Sequence, residues 1–355
     1  MSRGQRVHED FEVSCSALAK LIASRKEHHE RVLLLQDFLT KAKQIRPNVS
    51  TQLALDIITS FAPPEVSDLM KDFKTEEMKP RPRADIAIIT IIPEELRAAK
   101  VAFGVDLTKN EDRRGNGLRF WETVTQNNAS REDLNVVISM IGKARNVECA
   151  VACSRVFQTY DVGLCVLVGI AAGLKTKVKL GDIVAAELVL DYEGARAEPD
   201  GLKKRPVPYP LNKVIERDMN YFEPKFKGWY EDFKAKFEVL KEADSDSVPE
   251  VADDWKPEYH RGVILAGEKL LADGSLPGMQ AEYHDRVRAA EMEGSGFASI
   301  CDEYAIPWLV FRGISDFGDP HKPDSDIWRT TAVLAAATAA HAFIKSDYRK
   351  QSMKF

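Results

Sequence analysis

No stretch of this 355-residue chain is long and apolar enough to cross a bilayer as a helix. The longest apolar run near its C-terminal end, Ala332 to Ile344, contains Thr338 and His341 and falls short of a span. The first residues, MSRGQRVHEDFE, are charged and polar, so no secretory leader is expected. Positive charge is not in excess either. Lys and Arg number 50 against 55 Asp and Glu, and the net charge of −5 provides no general attraction to nucleic acid or to an anionic membrane. Cysteine is scarce, odd in number and mostly set in apolar runs (Cys15, Cys149, Cys153, Cys165, Cys301), which fits reduced, buried thiols of a cytoplasmic protein. Cys149 and Cys153 share one side of an expected helix, yet no histidine lies near them in sequence, so no metal site is expected. Internal repeats and low-complexity segments are missing as well.

Two regions of different texture are present. Residues 1–80 carry apolar positions at helical spacing, such as Leu18, Leu21 and Ile22 and then Leu34, Leu35, Phe38 and Leu39. Pro47 and the pair Pro63-Pro64 divide them into three segments. A small helical bundle with few convergent polar groups reads as an adaptor or oligomerisation module, through which a protein partner is the expected ligand. The stiff, charged run Lys79-Pro80-Arg81-Pro82-Arg83 is the expected boundary.

From 81 to 355 the pattern becomes α/β. Asp85 to Ile92 is a β-branched apolar run that reads as a buried strand, and Pro93-Glu94-Glu95 opens a helix with acid in its first turn. Further strands are expected at Phe120–Thr125, Asn135–Ile141, Leu164–Ile170, Gly181–Leu190, Gly262–Gly267, Val287–Met292 and Trp308–Ile314. Helices are expected at Asn146–Tyr160 and Trp328–Ile344. Buried strands alternating with helices argue for a sandwich with helices on both faces of the sheet. Gly169 to Leu174 reads as a turn of small residues but matches neither the dinucleotide nor the phosphate-loop glycine pattern. Residues 191–259 read as a long insertion leaving the sheet, a lid or a partner surface.

Chemistry concentrates between Glu291 and Asp319. Asp316 follows a strand that is apolar but for Arg312, and a carboxylate there opens into the crevice where α/β sheets hold ligands. A blander role is also open, because Asp in Ser-Asp-x-Gly commonly caps a turn. Glu291 and Glu293 flank Met292, and one of them equally fits a solvated position or a pair with Arg312. Glu95, read by itself, is a first-turn surface charge. His260 and His321 are isolated.

Four landmarks stand in order: Ile92-Pro93-Glu94-Glu95, Gly169 to Gly173 followed by Gly181-Asp182, Glu291-Met292-Glu293, and Arg312-Gly313-Ile314-Ser315-Asp316. This order resembles the superfamily of purine nucleoside phosphorylases and methylthioadenosine/adenosylhomocysteine nucleosidases, over about residues 84–345. The resemblance implies a three-layer αβα sandwich with a central mixed, twisted sheet. It implies that Asp316 engages the purine at N7, that Glu293 holds the ribose hydroxyls with Met292 along the sugar, and that Glu95 positions the attacking water. Gly169, Ala171 and Gly173 would lie beneath the nucleoside, and Ile92 and Phe317, beside Glu95 and Asp316, would touch it. It implies a homo-oligomer, a small purine nucleoside or nucleotide as partner, and no metal or organic cofactor. Similar domains fused to helical adaptors occur in fungal and bacterial conflict or defence proteins, some of which cleave adenine from nucleoside triphosphates.

Breaking an N-glycosidic bond leaves a cationic sugar and a poor leaving base. Asp316 protonating the base, with Phe317 and Trp308 as apolar neighbours, and Glu293 facing the sugar answer both difficulties. Phosphorylases of this superfamily carry an arginine-bearing Gly-Asp-Pro loop after the first strand, whereas Thr90 to Glu95 stands here, so hydrolysis is favoured over phosphorolysis. A nucleoside sensor whose catalysis has lapsed is the third reading. Ile170-Ala171-Ala172-Gly173 replaces the Ser-Ala-Gly-Gly turn of the compact nucleosidases. The cluster Lys203-Lys204-Arg205, with Lys143, Arg145 and Arg196, is the expected phosphate-binding set if the substrate is a nucleotide.

Overall fold

The computed structural model describes residues 81–348 apart from 129, 200, 223–226, 244 and 252–253, so the helical module expected at 1–80 lies outside the described residues. Strand β1 (Arg83–Thr90) is buried from Ala84 onward, as its run of isoleucines requires of a strand covered on both faces. It lies between β4 (Asp133–Met140) and β5 (Asp161–Gly173), parallel to both. Helix α1 (Pro93–Ala102) starts where proline needs no N–H partner and is followed by the hairpin partners β2 (Arg113–Gly115) and β3 (Leu118–Gln126). α2 (Asn146–Thr159) links β4 to β5.

Beyond β5 come β6 (Ile183–Asp191), a small hairpin of β7 (Ala195–Glu198) and β8 (Gly201–Lys204), and β9 (Val207–Pro210). Helices α3 (Lys213–Tyr221) and α4 (Lys227–Ala243) precede β10 (Tyr259–Ala266), α5 (Leu276–Tyr283), β11 (Val287–Glu291), α6 (Gly294–Glu303), β12 (Trp308–Asp316) and α7 (Trp328–Ser346). The main sheet has ten strands, with β11, β10, β6, β12, β5, β1, β4, β3 and β2 in spatial order and β9 attached to β6. It is mixed: β12 runs parallel to β5 and antiparallel to β6. β11 also pairs antiparallel with β5, through Ala289 with Gly173 and Ala290 with Ala172, so β5, β12, β6, β10 and β11 close into a ring. α1, α4 and α7 pack together as one helical layer, and α2 and α6 form another, giving the αβα sandwich.

α7 can lie directly on β12 because both surfaces are small where they meet. A Cβ at Gly313 would come within 1.9 Å of the Ala332 carbonyl oxygen, and Ala335, Ala336, Ala339 and Ala340 are completely buried. The four described cysteines, Cys149, Cys153, Cys165 and Cys301, are buried and free, and burial pushes the Cys165 thiol up. Among the described residues no helix is long and apolar enough to cross a membrane.

Three sequence expectations are corrected. Gly169 to Gly173 is the end of β5 and not a turn, because its backbone stays paired with β12 and then with β11. Residues 191–259 do not leave the sheet altogether. β9 pairs back onto β6, while Trp229, Phe233, Phe237 and Leu240 bury one side of α4 in the core. Trp308 sits at the opposite end of β12 from Asp316 and donates its indole N–H to Asp302, so it does not shield that carboxylate.

Candidate active site

The C-terminal ends of β1, β5, β11 and β12 converge on a cavity of about 240 Å³. Ile91, Ile92 and Glu95 line it from the β1–α1 connection, Ile170 and Ala171 from β5, Met292 and Glu293 from the residues after β11, and Ser315 and Asp316 from β12. This is where α/β sheets offer exposed backbone and loop groups to a ligand.

Glu95 is the third residue of α1 and is only 2% exposed, so the surface reading of its charge does not hold. Its Oε2 accepts the N–H groups of Ile91 (2.6 Å) and Ile92 (3.3 Å), which is the acidic half of a capping box, since an isoleucine side chain cannot reciprocate. Its Oε1 accepts the Ile170 N–H at 3.0 Å. Burial pushes this carboxyl up to about 7, against the pull of Arg312 and of the Ile91 and Ile170 N–H groups.

Arg312 is completely buried at the centre of three carboxylates. Its Nη2 donates to Glu291 Oε2 and, at 3.1 Å, to Glu293 Oε2. Burial opposes its charge, but Glu291, Glu293 and Glu95 outweigh that and hold the guanidinium above its ordinary range. Glu291 also accepts the N–H groups of Glu293 (3.0 Å) and Gly294 (2.9 Å), and burial raises its pKa against the pull of Arg312. Glu291 thus braces the backbone that carries Glu293. Glu293 is held by Arg312 on one oxygen and by the Arg145 N–H (3.1 Å) on the other.

Asp316 is 4% exposed. Its Oδ1 accepts the Gly318 N–H at 2.8 Å, and its Oδ2 accepts Ser315 Oγ at 3.0 Å and Lys322 Nζ at 2.5 Å. The capping role and a position at the cavity are thus combined in one side chain.

The structure brings Glu95, Glu293, Asp316, Met292, Ile92 and Ala171 to one cavity. Other expected residues are elsewhere. A Cβ at Gly169 would fall 2.2 Å from Arg312 Nη1 and 2.5 Å from Glu95 Oε1, so this glycine makes room for the buried charges beneath the cavity. Gly173 packs against Ile314 and Val178, and Phe317 lies on the core with the Lys175 ammonium 5.3 Å from its ring centroid. Lys203 pairs with Glu198 at 2.5 Å, and Lys204 pairs with Glu282 and lies over Tyr283. Arg205 follows them on an exposed hairpin, and Arg145 reaches Glu293 through its backbone while its side chain is exposed. None of these four lines the cavity. The structure thus sets these four apart from the cavity, three of them on one outward hairpin.

Sequence reasoning missed the cations that are at the site: Lys269, Lys322 and Arg329. They follow the C-terminal ends of β10 and β12, and that position was the available signal. His260 Nε2 donates to the buried Asp182 carboxylate at 2.9 Å and belongs to the scaffold.

A mixed sheet with a partly closed ring and carboxylates at its strand ends defines an α/β protein with a small-molecule site. The chain belongs to the phosphorylase superfamily, whose model matches residues 85–345. It is 28% identical over 270 residues to an ATP nucleosidase, Cap17, of Escherichia coli, a match covering 74% of this chain and 50% of that protein. The chain thus spans about half the length of that curated relative. A 5'-methylthioadenosine/S-adenosylhomocysteine nucleosidase of Buchnera aphidicola is 22% identical over 187 residues, 53% of this chain and 68% of the relative. Among solved structures, the corresponding nucleosidase of Helicobacter pylori with butyl-thio-DADMe-Immucillin-A superposes with a TM-score of 0.53 at 16% identity, covering 74% of this chain and 98% of the other.

Proposed function

We propose that this protein hydrolyses the N-glycosidic bond of a purine nucleoside or nucleotide, with adenine as the base, and releases the base free. The observation that carries this reading is Glu95: a buried carboxyl at the cavity, held by backbone N–H groups and pushed up to about 7. A base poised near the working pH accepts a proton from water while remaining available as the anion. The relatives named as nucleosidases, one for ATP and one for methylthioadenosine and adenosylhomocysteine, support the substrate class.

In this reading water bound at Glu95 gives its proton to the carboxylate as its oxygen bonds to the anomeric carbon. The electron pair of the broken C–N bond enters the purine, and a proton that Asp316 takes up from solvent beforehand is passed to N7. General acid help of this kind is worth roughly 10²–10⁴-fold, about 3–5 kcal/mol of barrier. Glu293, fixed by Arg312 and the Arg145 N–H, accepts the ribose hydroxyls and faces the sugar as it becomes cationic. Phosphate is disfavoured as the nucleophile. Three carboxylates surround the Arg312 guanidinium, whose Nη2 is already engaged by two of them.

Residues 1–80 are proposed as a separate docking or oligomerisation module, checked by light scattering of the chain with and without them. The activity is tested by incubating the protein with ATP, AMP, adenosine and methylthioadenosine, with and without phosphate, and following base by chromatography. Base released without phosphate is expected; strict dependence on phosphate sinks hydrolysis.

A further inference from the structure

The cavity is divided by charge. Its floor is the buried carboxylates Glu95, Glu291 and Glu293, the last two bonded to Arg312 behind them, and its rim is the more exposed cations Lys269, Lys322 and Arg329. A substrate with phosphate groups cannot direct them at the acidic floor, so they leave along the rim. Two of the rim cations are held lightly. Lys269 pairs with Glu193 at 2.9 Å with its own side chain 68% exposed, and Arg329 pairs with Asp326 at 3.0 Å near the surface. Exposed pairs of this kind contribute little and yield readily to a phosphate.

Lys322 is different. Its ammonium lies on Asp316 Oδ2 at 2.5 Å with side-chain exposures of 16% and 5% for the two residues. Together with the Gly318 N–H and Ser315 Oγ it occupies both oxygens of Asp316. Lys322 and Ser315 fill Oδ2, so a purine can bond that oxygen only when Lys322 leaves. Lys322 begins a short 3-10 turn between β12 and α7, and its flexible side chain can swing toward the rim.

We propose that Lys322 is a latch on Asp316 that the phosphates of a nucleotide release, so that Lys322, with Lys269 and Arg329, makes the site select purine nucleotides over nucleosides. The inference rests on the purine reading of the cavity above but not on turnover. A nucleotide gives the displaced ammonium a new anionic partner. A nucleoside has to separate a largely buried ion pair and leave the cation without one, which is costly. Lys322 is thus a positioning residue, acting through Asp316 and through the phosphate.

The test uses the full chain in a Glu95→Gln background, which slows turnover, and measures equilibrium binding of ATP and adenosine by calorimetry. Lys322→Met is expected to weaken ATP and to strengthen adenosine, so that the ratio of their affinities falls by roughly 10- to 100-fold, the value of a charge-assisted hydrogen bond. Lys322→Arg, which keeps the cation, is expected to restore most of the ratio. A merely structural role would weaken both ligands together, and an unchanged ratio in Lys322→Met overturns the latch. Binding that behaves as expected, with no base released by the unmutated protein, sinks hydrolysis and leaves the latch standing. Failure of both ligands to bind overturns both.

Discussion

Replacing Glu95 by Gln tests the central group of the site through stability and rate together. Raising a carboxyl from its ordinary 4.5 to about 7 is worth roughly 3 kcal/mol. The folded protein keeps that proton to higher pH than the unfolded chain does. Stability from this group is therefore fully present below pH 4.5 and is lost as pH rises through about 7. Glutamine has no such proton, but it costs something else. Glu95 accepts N–H groups on both oxygens, whereas the amide of Gln can accept on only one, leaving a buried donor unpaired at about 1–3 kcal/mol. Urea unfolding of both proteins from pH 5 to pH 8 is the assay. The variant is expected to be the less stable at pH 5, and the gap is expected to close or reverse by about 3 kcal/mol toward pH 8. Base release by the unmutated protein should rise with pH through about 7 as the anion forms, and the variant should lose roughly 10²–10⁴-fold. A stability difference that does not vary with pH would refute the burial argument, and an unchanged rate would remove Glu95 from the chemistry.

Asp316→Asn is expected to abolish base release while ligand binding, followed by calorimetry, is largely retained; wild-type turnover would take Asp316 out of the mechanism. Arg312→Met leaves Glu291 and Glu293 buried without their shared cation, so a loss of about 3–5 kcal/mol in urea unfolding at neutral pH is expected. A shift under 1 kcal/mol would mean that water reaches this cluster. Changing Lys203, Lys204 and Arg205 together to alanine should leave the ratio of nucleotide to nucleoside affinity unaltered, because none of the three lines the cavity and the two lysines are paired with Glu198 and Glu282. A selective loss of nucleotide binding would return phosphate recognition to that hairpin.

The strands around the cavity were legible in sequence because each is a short run of β-branched and other apolar residues with a charge soon after it, as in Asp85 to Ile92 before Glu94 and Trp308 to Ile314 before Asp316. That same rule puts Asp316 and Glu293 at strand ends, and both residues do line the cavity. Glu95 carries no such mark. Its burial depends on N–H groups from Ile91 and from Ile170, which is 75 residues away, so the local pattern reads as surface helix. Gly169 to Gly173 has the composition of a turn because the space its side chains would fill is taken by Arg312, Glu95 and Ile314, a long-range fact. Charges were hardest to read. Lys203, Lys204 and Arg205 are neighbours in sequence and face outward, whereas Lys269, Lys322 and Arg329 are scattered in sequence and share a rim.

The closure of the ring between β5 and β11 is short: Ala289 pairs with Gly173, Ala290 with Ala172, and the Leu174 N–H donates to the Arg288 carbonyl. That short seam lies between the residues leading to Glu293 and the strand that carries Ile170 and Ala171 past Glu95. A local opening there would part the sugar-facing carboxylate from the water-facing one while the rest of the sheet stayed paired. On heating, the site is therefore expected to lose its geometry at this alanine-rich stitch before the protein melts as a whole.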